Sequence, residues 1–114
     1  MTSAAAILGF LAVALGAFGA HGLEGRLSPD QTGWWETATL YALVHAVAAV
    51  AVGLSKRGGP ISWSGWAFIF GAVVFSGTLY AMAIGAPSWF GAITPIGGAT
   101  LLVGWVLLAV GARR

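Results

Sequence analysis

The stretch WWETATLYALVHAVAAVAVGL, residues 34–54, decides the fold class. Its one formal charge, Glu36, lies near one end, and everything after it is apolar or small except Thr37, Thr39, Tyr41 and His45. A bilayer core needs roughly 20 mostly apolar residues in a helix, so the segment reads as a transmembrane span. Its flanks agree. Ser28-Pro29-Asp30-Gln31 upstream has the pattern of a capped helix start, with Pro29 at the first helical position and Gln31 placed for a reciprocal cap. Lys56 and Arg57 downstream suit the negative end of a helix dipole, and Gly58-Gly59-Pro60 breaks the chain.

Working outward, the same reading applies three more times. Apolar runs over approximately 4–22, 63–84 and 95–112 complete four spans. Ser62 is positioned to cap the third span. Gly85 and Pro87 stop it. Thr94 is expected to cap the fourth and Pro95 to open it, and the uncharged connection from Gly85 to Thr94 carries Trp89 and Phe90 and suits the headgroup zone. The first run lacks the positive leader and short apolar core of a signal peptide, so it is expected to be a retained helix. The expected fold is all-α, a four-helix integral membrane bundle with short loops, residues 1–114 forming one domain.

Composition closes off the alternatives. Of 114 residues, 59% are hydrophobic, eight are charged (five Lys/Arg, three Asp/Glu) and the mean hydropathy is +0.91. A soluble domain carries about 25% charged residues, so a water-soluble globule is excluded. Cysteine is absent, which removes disulfide, thiolate-metal and cysteine-nucleophile chemistry. No basic run exceeds two residues, so nothing supports a nucleic-acid surface. The bilayer is the expected environment, with a homo-oligomer or larger membrane complex as the expected kind of partner. Lys56, Arg57, Arg113 and Arg114 fall on one side of four spans and Arg26 on the other, so both termini are expected in the cytoplasm. Gly97, Gly104 and Gly111 recur every seven residues, Gly9 and Gly16 do the same, and Ala12, Gly16 and Ala20 form a second row; such rows let membrane helices approach closely.

Polar residues inside the spans are the candidate site. Thr37, Tyr41 and His45 are spaced by four, as are Ser76 and Tyr80, so each set shares a helix face, and the two faces are expected to meet away from lipid. His45 stands out because an ionisable group within a span is a functional-site candidate, able to relay protons, ligate a metal or simply hydrogen-bond. Glu36, nine positions away, lies on the other side of that helix. His21 and Glu24 form a second candidate cluster at the far edge, spaced for a surface ion pair. The two histidines differ in depth by about 12 Å, which disfavours a shared metal or haem. Trp34, Trp35 and Trp89 at one interface, and Trp63 and Trp66 at the other, read as anchors; Trp105 falls mid-span, where its indole needs a partner. No phosphate loop, nucleophile triad, HExxH or carboxylate dyad is present, so no catalytic residue, metal or cofactor is expected.

The strings LGAFGAHGL (15–23), WWETATLYALVHA (34–46), FSGTLYAM (75–82) and TPIGG (94–98) with Gly104-Trp105 resemble the family called domain of unknown function 423, small bacterial inner-membrane proteins similar to the eukaryotic transmembrane protein 256. The resemblance covers nearly the whole chain. It implies four spans in a bacterial cytoplasmic membrane and brings no assigned catalytic residue, substrate or cofactor. The family's polar positions map onto His21, Trp34, Thr37, Tyr41, His45, Ser76, Tyr80 and Thr94. Two functions fit these features: a non-enzymatic structural or accessory membrane protein, and a small transporter or proton conduit built on the faces of His45 and Tyr80.

Overall fold

The computed structural model describes residues 1–113; the basic residue at position 114, used above for orientation, lies outside them. Four long helices follow one another: α1 (Thr2–His21), α2 (Pro29–Ser55), α3 (Pro60–Ala83) and α4 (Thr94–Ala112), with a 3-10 turn at Ser88–Ala92. All four regions are long and apolar enough to cross a membrane. Their faces turned outward are apolar, as lipid requires: Phe10, Val13, Val47, Phe70, Leu102 and Val106 are all exposed.

Local chemistry explains most boundaries. The Ser28 side chain accepts from the Gln31 N–H at 3.2 Å, and Gln31 Oε1 accepts from the Ser28 N–H at 2.9 Å, the reciprocal cap expected at the start of α2. Two other expected caps are corrected. α3 begins at Pro60 after Gly59, so Ser62 sits inside the helix and caps nothing. Thr94 makes no N-terminal cap either; its hydroxyl reaches back to Phe90 O at 3.3 Å and across to the Thr78 hydroxyl at 2.7 Å. It ties the 3-10 turn and α4 to α3.

The helices pack in chain order, forming a slab rather than a closed square; the Cα trace measures 49 × 26 × 17 Å. α3 lies along both α2 and α4, and α1 lies along α2 with only a light touch on α3. Neither α1 with α4 nor α2 with α4 makes extended backbone contact among the described residues. Even so, Leu8, Ala46, Ala72 and Leu101, one from each helix, form a single buried cluster. The glycine rows are contacts. A Cβ on Gly104 would stand 2.8 Å from the Phe68 ring, one on Gly111 would stand 2.6 Å from Ile61 Cγ1, and one on Gly97 would run into the Phe75 backbone. The seven-residue row of α4 is therefore what lets α3 approach it. On α1, a Cβ on Gly16 would meet Thr39 Cγ2 at 2.9 Å, and Ala12 is buried, whereas Ala20 is exposed.

Candidate functional site

The buried stripe of α2 is Trp35, Ala38, Ala42, His45, Ala49 and Val52, with Ala46 beside it. These positions step by three and four alternately, the spacing that keeps one seam facing a neighbour. A strict step of four drifts by about 40° per turn, so the row from His45 back to Thr37 leaves the seam by about 80°. This corrects the expected polar face. Thr37 is exposed, Tyr41 retains 39% of its surface, and only His45, at 5%, is buried.

The expected partners are also corrected. Ser76 donates to Ala38 O at 2.7 Å, and Tyr80 hydrogen-bonds to Thr39 at 2.6 Å; neither reaches His45. The antiparallel register explains this: His45 lies beside Phe68, with ring centroids 5.6 Å apart, about 10 Å along α2 from the level of Ala38 and Ser76.

His45 is instead bridged to α4. The Trp105 indole N–H donates to His45 Nε2 at 3.1 Å, and His45 Nδ1 lies 2.7 Å from Tyr41 O one turn back on α2. An indole can only donate and a carbonyl can only accept, so the pair of contacts requires the neutral tautomer with its proton on Nδ1. Phe68 fills the space below, 4.7 Å from the Trp105 ring, and Tyr41 stacks over the imidazole with centroids 5.9 Å apart. The bridge crosses a lateral cleft between α2 and α4. On one side of it a cavity of 330 Å³ is bounded by Tyr41, His45, Phe75, Gly98, Leu102 and Trp105 and opens at the outer surface of the bundle.

A second polar cluster joins α1, α2 and α3 near the other end of α2. Trp35 donates its indole N–H to Leu15 O at 2.8 Å and packs edge-on against Tyr80 with centroids 4.5 Å apart. Thr39 donates to Trp35 O at 3.1 Å, which uses its single proton, so Tyr80 is the donor in the 2.6 Å contact. Trp35 is thus a buried strut rather than an interfacial anchor, and Gly19 leaves room for its ring. Thr39 and Trp105 were missed as site residues. Trp105 had a signal, the mid-span indole needing an acceptor; Thr39 had none, because its role depends on which neighbour faces it.

The remaining candidates stand apart. His21 and Glu24 are both exposed beyond the cluster of Trp35 and Tyr80. Among the described residues no three His, Asp or Glu side chains gather where they could hold a metal, and no buried side-chain nitrogen or oxygen lacks a partner.

Residues 15–98 match the family model described as protein of unknown function (DUF423). A UPF0382 membrane protein of Staphylococcus saprophyticus is 44% identical, covering 93% of this chain and 90% of its own. One of Bacillus subtilis (strain 168) is 42% identical, covering 96% and 92%. The UPF0382 inner membrane protein YgdD of Escherichia coli (strain K12) is 39% identical, covering 96% and 86%. No solved structure matches the chain. Four membrane-length helices, a family model spanning most of the sequence and relatives aligned along nearly all of it lead to one conclusion: the chain belongs to the DUF423 family, membrane proteins of unknown function.

Proposed function

We propose that the protein is a non-enzymatic structural or accessory component of the bacterial cytoplasmic membrane, packing against copies of itself or a larger complex, with both termini in the cytoplasm. The observation that carries this reading is the state of His45. Both ring nitrogens are engaged within the chain, one by Tyr41 O and one by the Trp105 indole, so the imidazole acts as a brace between helices. A proton conduit needs an imidazole that exchanges partners, and here the cluster of Tyr80, Thr39 and Trp35 is separately closed on its own carbonyl acceptors. α1 and α4 form the two edges of the slab, with 17% of the span window buried against 33% for α2, so both edges are available to a neighbouring protein. The orientation rests on the cation asymmetry of the loops.

Affinity purification of the tagged full chain from native membranes in mild detergent tests the reading. Recovery of a stoichiometric complex or discrete homo-oligomer is the expected result. A chain recovered only as a monomer, together with His45-dependent proton flux in liposomes, would overturn it in favour of the conduit.

A further inference from the structure

We propose that the α2–α4 cleft binds one anionic phospholipid at the end carrying Lys56 and Arg57, with the phosphate on Arg57 and one acyl chain along the cleft. Three observations converge there. First, an open groove of 380 Å³ runs from Ser55 and Arg57 at the mouth to Trp105 at its far end. Its walls are Ala48, Ala51, Val52 and Leu108, with Ile61 contributed by α3, so it is apolar along its length. Ser55 to Ala48 on α2, and Ala112 to Trp105 on α4, each correspond to about 10 Å of helix, most of the roughly 15 Å thickness of one hydrocarbon leaflet.

Second, among the described residues no acidic side chain lies at the mouth. Lys56, Arg57 and Arg113 are exposed at this end, while Glu24, Asp30 and Glu36 all belong to the opposite end of α1 and α2. Glu36 is 19 residues from Ser55, about 28 Å along the helix. These cations favour an anion at this end, and a phosphodiester without its own cation supplies one. Phosphatidylcholine and phosphatidylethanolamine bring an ammonium of their own and match less well.

Third, Arg57, though exposed, reaches across the mouth toward α4. One guanidinium nitrogen donates to Gly111 O at 3.4 Å, at the carboxyl end of α4, and the Arg57 N–H donates to Ser55 Oγ at 3.3 Å. A guanidinium has five N–H donors, so with one directed at Gly111 O the group keeps several for a phosphate at the top of the cleft.

Native mass spectrometry of the full chain, extracted into micelles holding equal phosphatidylglycerol and phosphatidylcholine of the same acyl chains, tests this. Expected is one retained phosphatidylglycerol per chain, favoured over phosphatidylcholine by about fivefold or more, and a loss of about fivefold in Arg57→Gln. Ala51→Phe, which fills the cleft and keeps every cation, should also lose the lipid, whereas Arg26→Gln at the other end should retain it. Lys56→Gln removes a second cation at the same end, leaves the Gly111 contact intact and should also lower the preference for phosphatidylglycerol; it serves where Arg57→Gln loses helical content by circular dichroism. Equal retention of the two lipids, wild-type retention by Ala51→Phe or by the folded cation variants, or a polypeptide in place of the lipid would overturn the proposal.

Discussion

The Trp105 indole N–H donates to Nε2 of His45 across 3.1 Å, and among the described residues this is the side-chain hydrogen bond that joins α4 to α2. The backbones of those helices do not otherwise meet along their length, so the pair acts as a cross-strut over α3. It also sets the imidazole tautomer, because the donor on α4 reserves Nε2 as the acceptor.

That strut predicts a measurable coupling. Trp105→Phe keeps a ring in place but leaves Nε2 without a donor, and His45→Leu removes the acceptor. Each should cost about 0.6–2 kcal/mol, and the double variant should cost less than the sum. His45→Gln should keep the fold, since an amide still donates and accepts. Unfolding in mixed micelles, read by tryptophan fluorescence and helical circular dichroism, checks the cycle; strictly additive losses would show that the bond contributes nothing.

In the cluster around Trp35, the direction of the hydrogen bonds ranks the variants. Thr39→Val leaves the half-buried Tyr80 hydroxyl without its acceptor, whereas Tyr80→Phe removes the hydroxyl and leaves the Thr39 bond to Trp35 O in place. Thr39→Val should therefore be the more destabilising, and adding Tyr80→Phe to it should recover part of the loss. The same unfolding assay decides it, and the reverse ranking would contradict the assigned donor.

Close approach of α3 and α4 makes Gly104 intolerant. Gly104→Leu must displace Phe68, which also supports His45, and overpacking of this kind costs about 1–3 kcal/mol. Gly77 lies in open space, so Gly77→Ala should be neutral or slightly stabilising under the same conditions.

The orientation is tested with single cysteines in an otherwise cysteine-free chain. An impermeant maleimide added to intact cells should label positions 25 and 88 and leave position 55 unlabelled. Labelling at 55 but not at 25 would reverse the topology, and labelling at all three would indicate insertion both ways.

The number of membrane-length helices and the start of α2 were legible in the sequence because they depend on local quantities. Apolar length against bilayer thickness makes residues 34–54 a span whatever surrounds them, and Ser28, Pro29 and Gln31 complete their cap within four residues. The Gly97, Gly104 and Gly111 row was legible for the same reason, as a repeat on one face. Which polar group meets which was not. That depends on the register of α2 against α3, and on a seam that steps by three and four, where a residue's face is decided by the neighbour's shape. A row spaced strictly by four put Thr37 and Tyr41 beside His45; packing turned Thr37 outward, assigned Ser76 to Ala38 O and Tyr80 to Thr39, and brought Trp105 from 60 residues away onto the imidazole. Local composition determined that these helices lie in a membrane, while side-chain pairing across helices was decided only when the four apolar cylinders closed on their small residues and each buried polar atom needed a partner within reach.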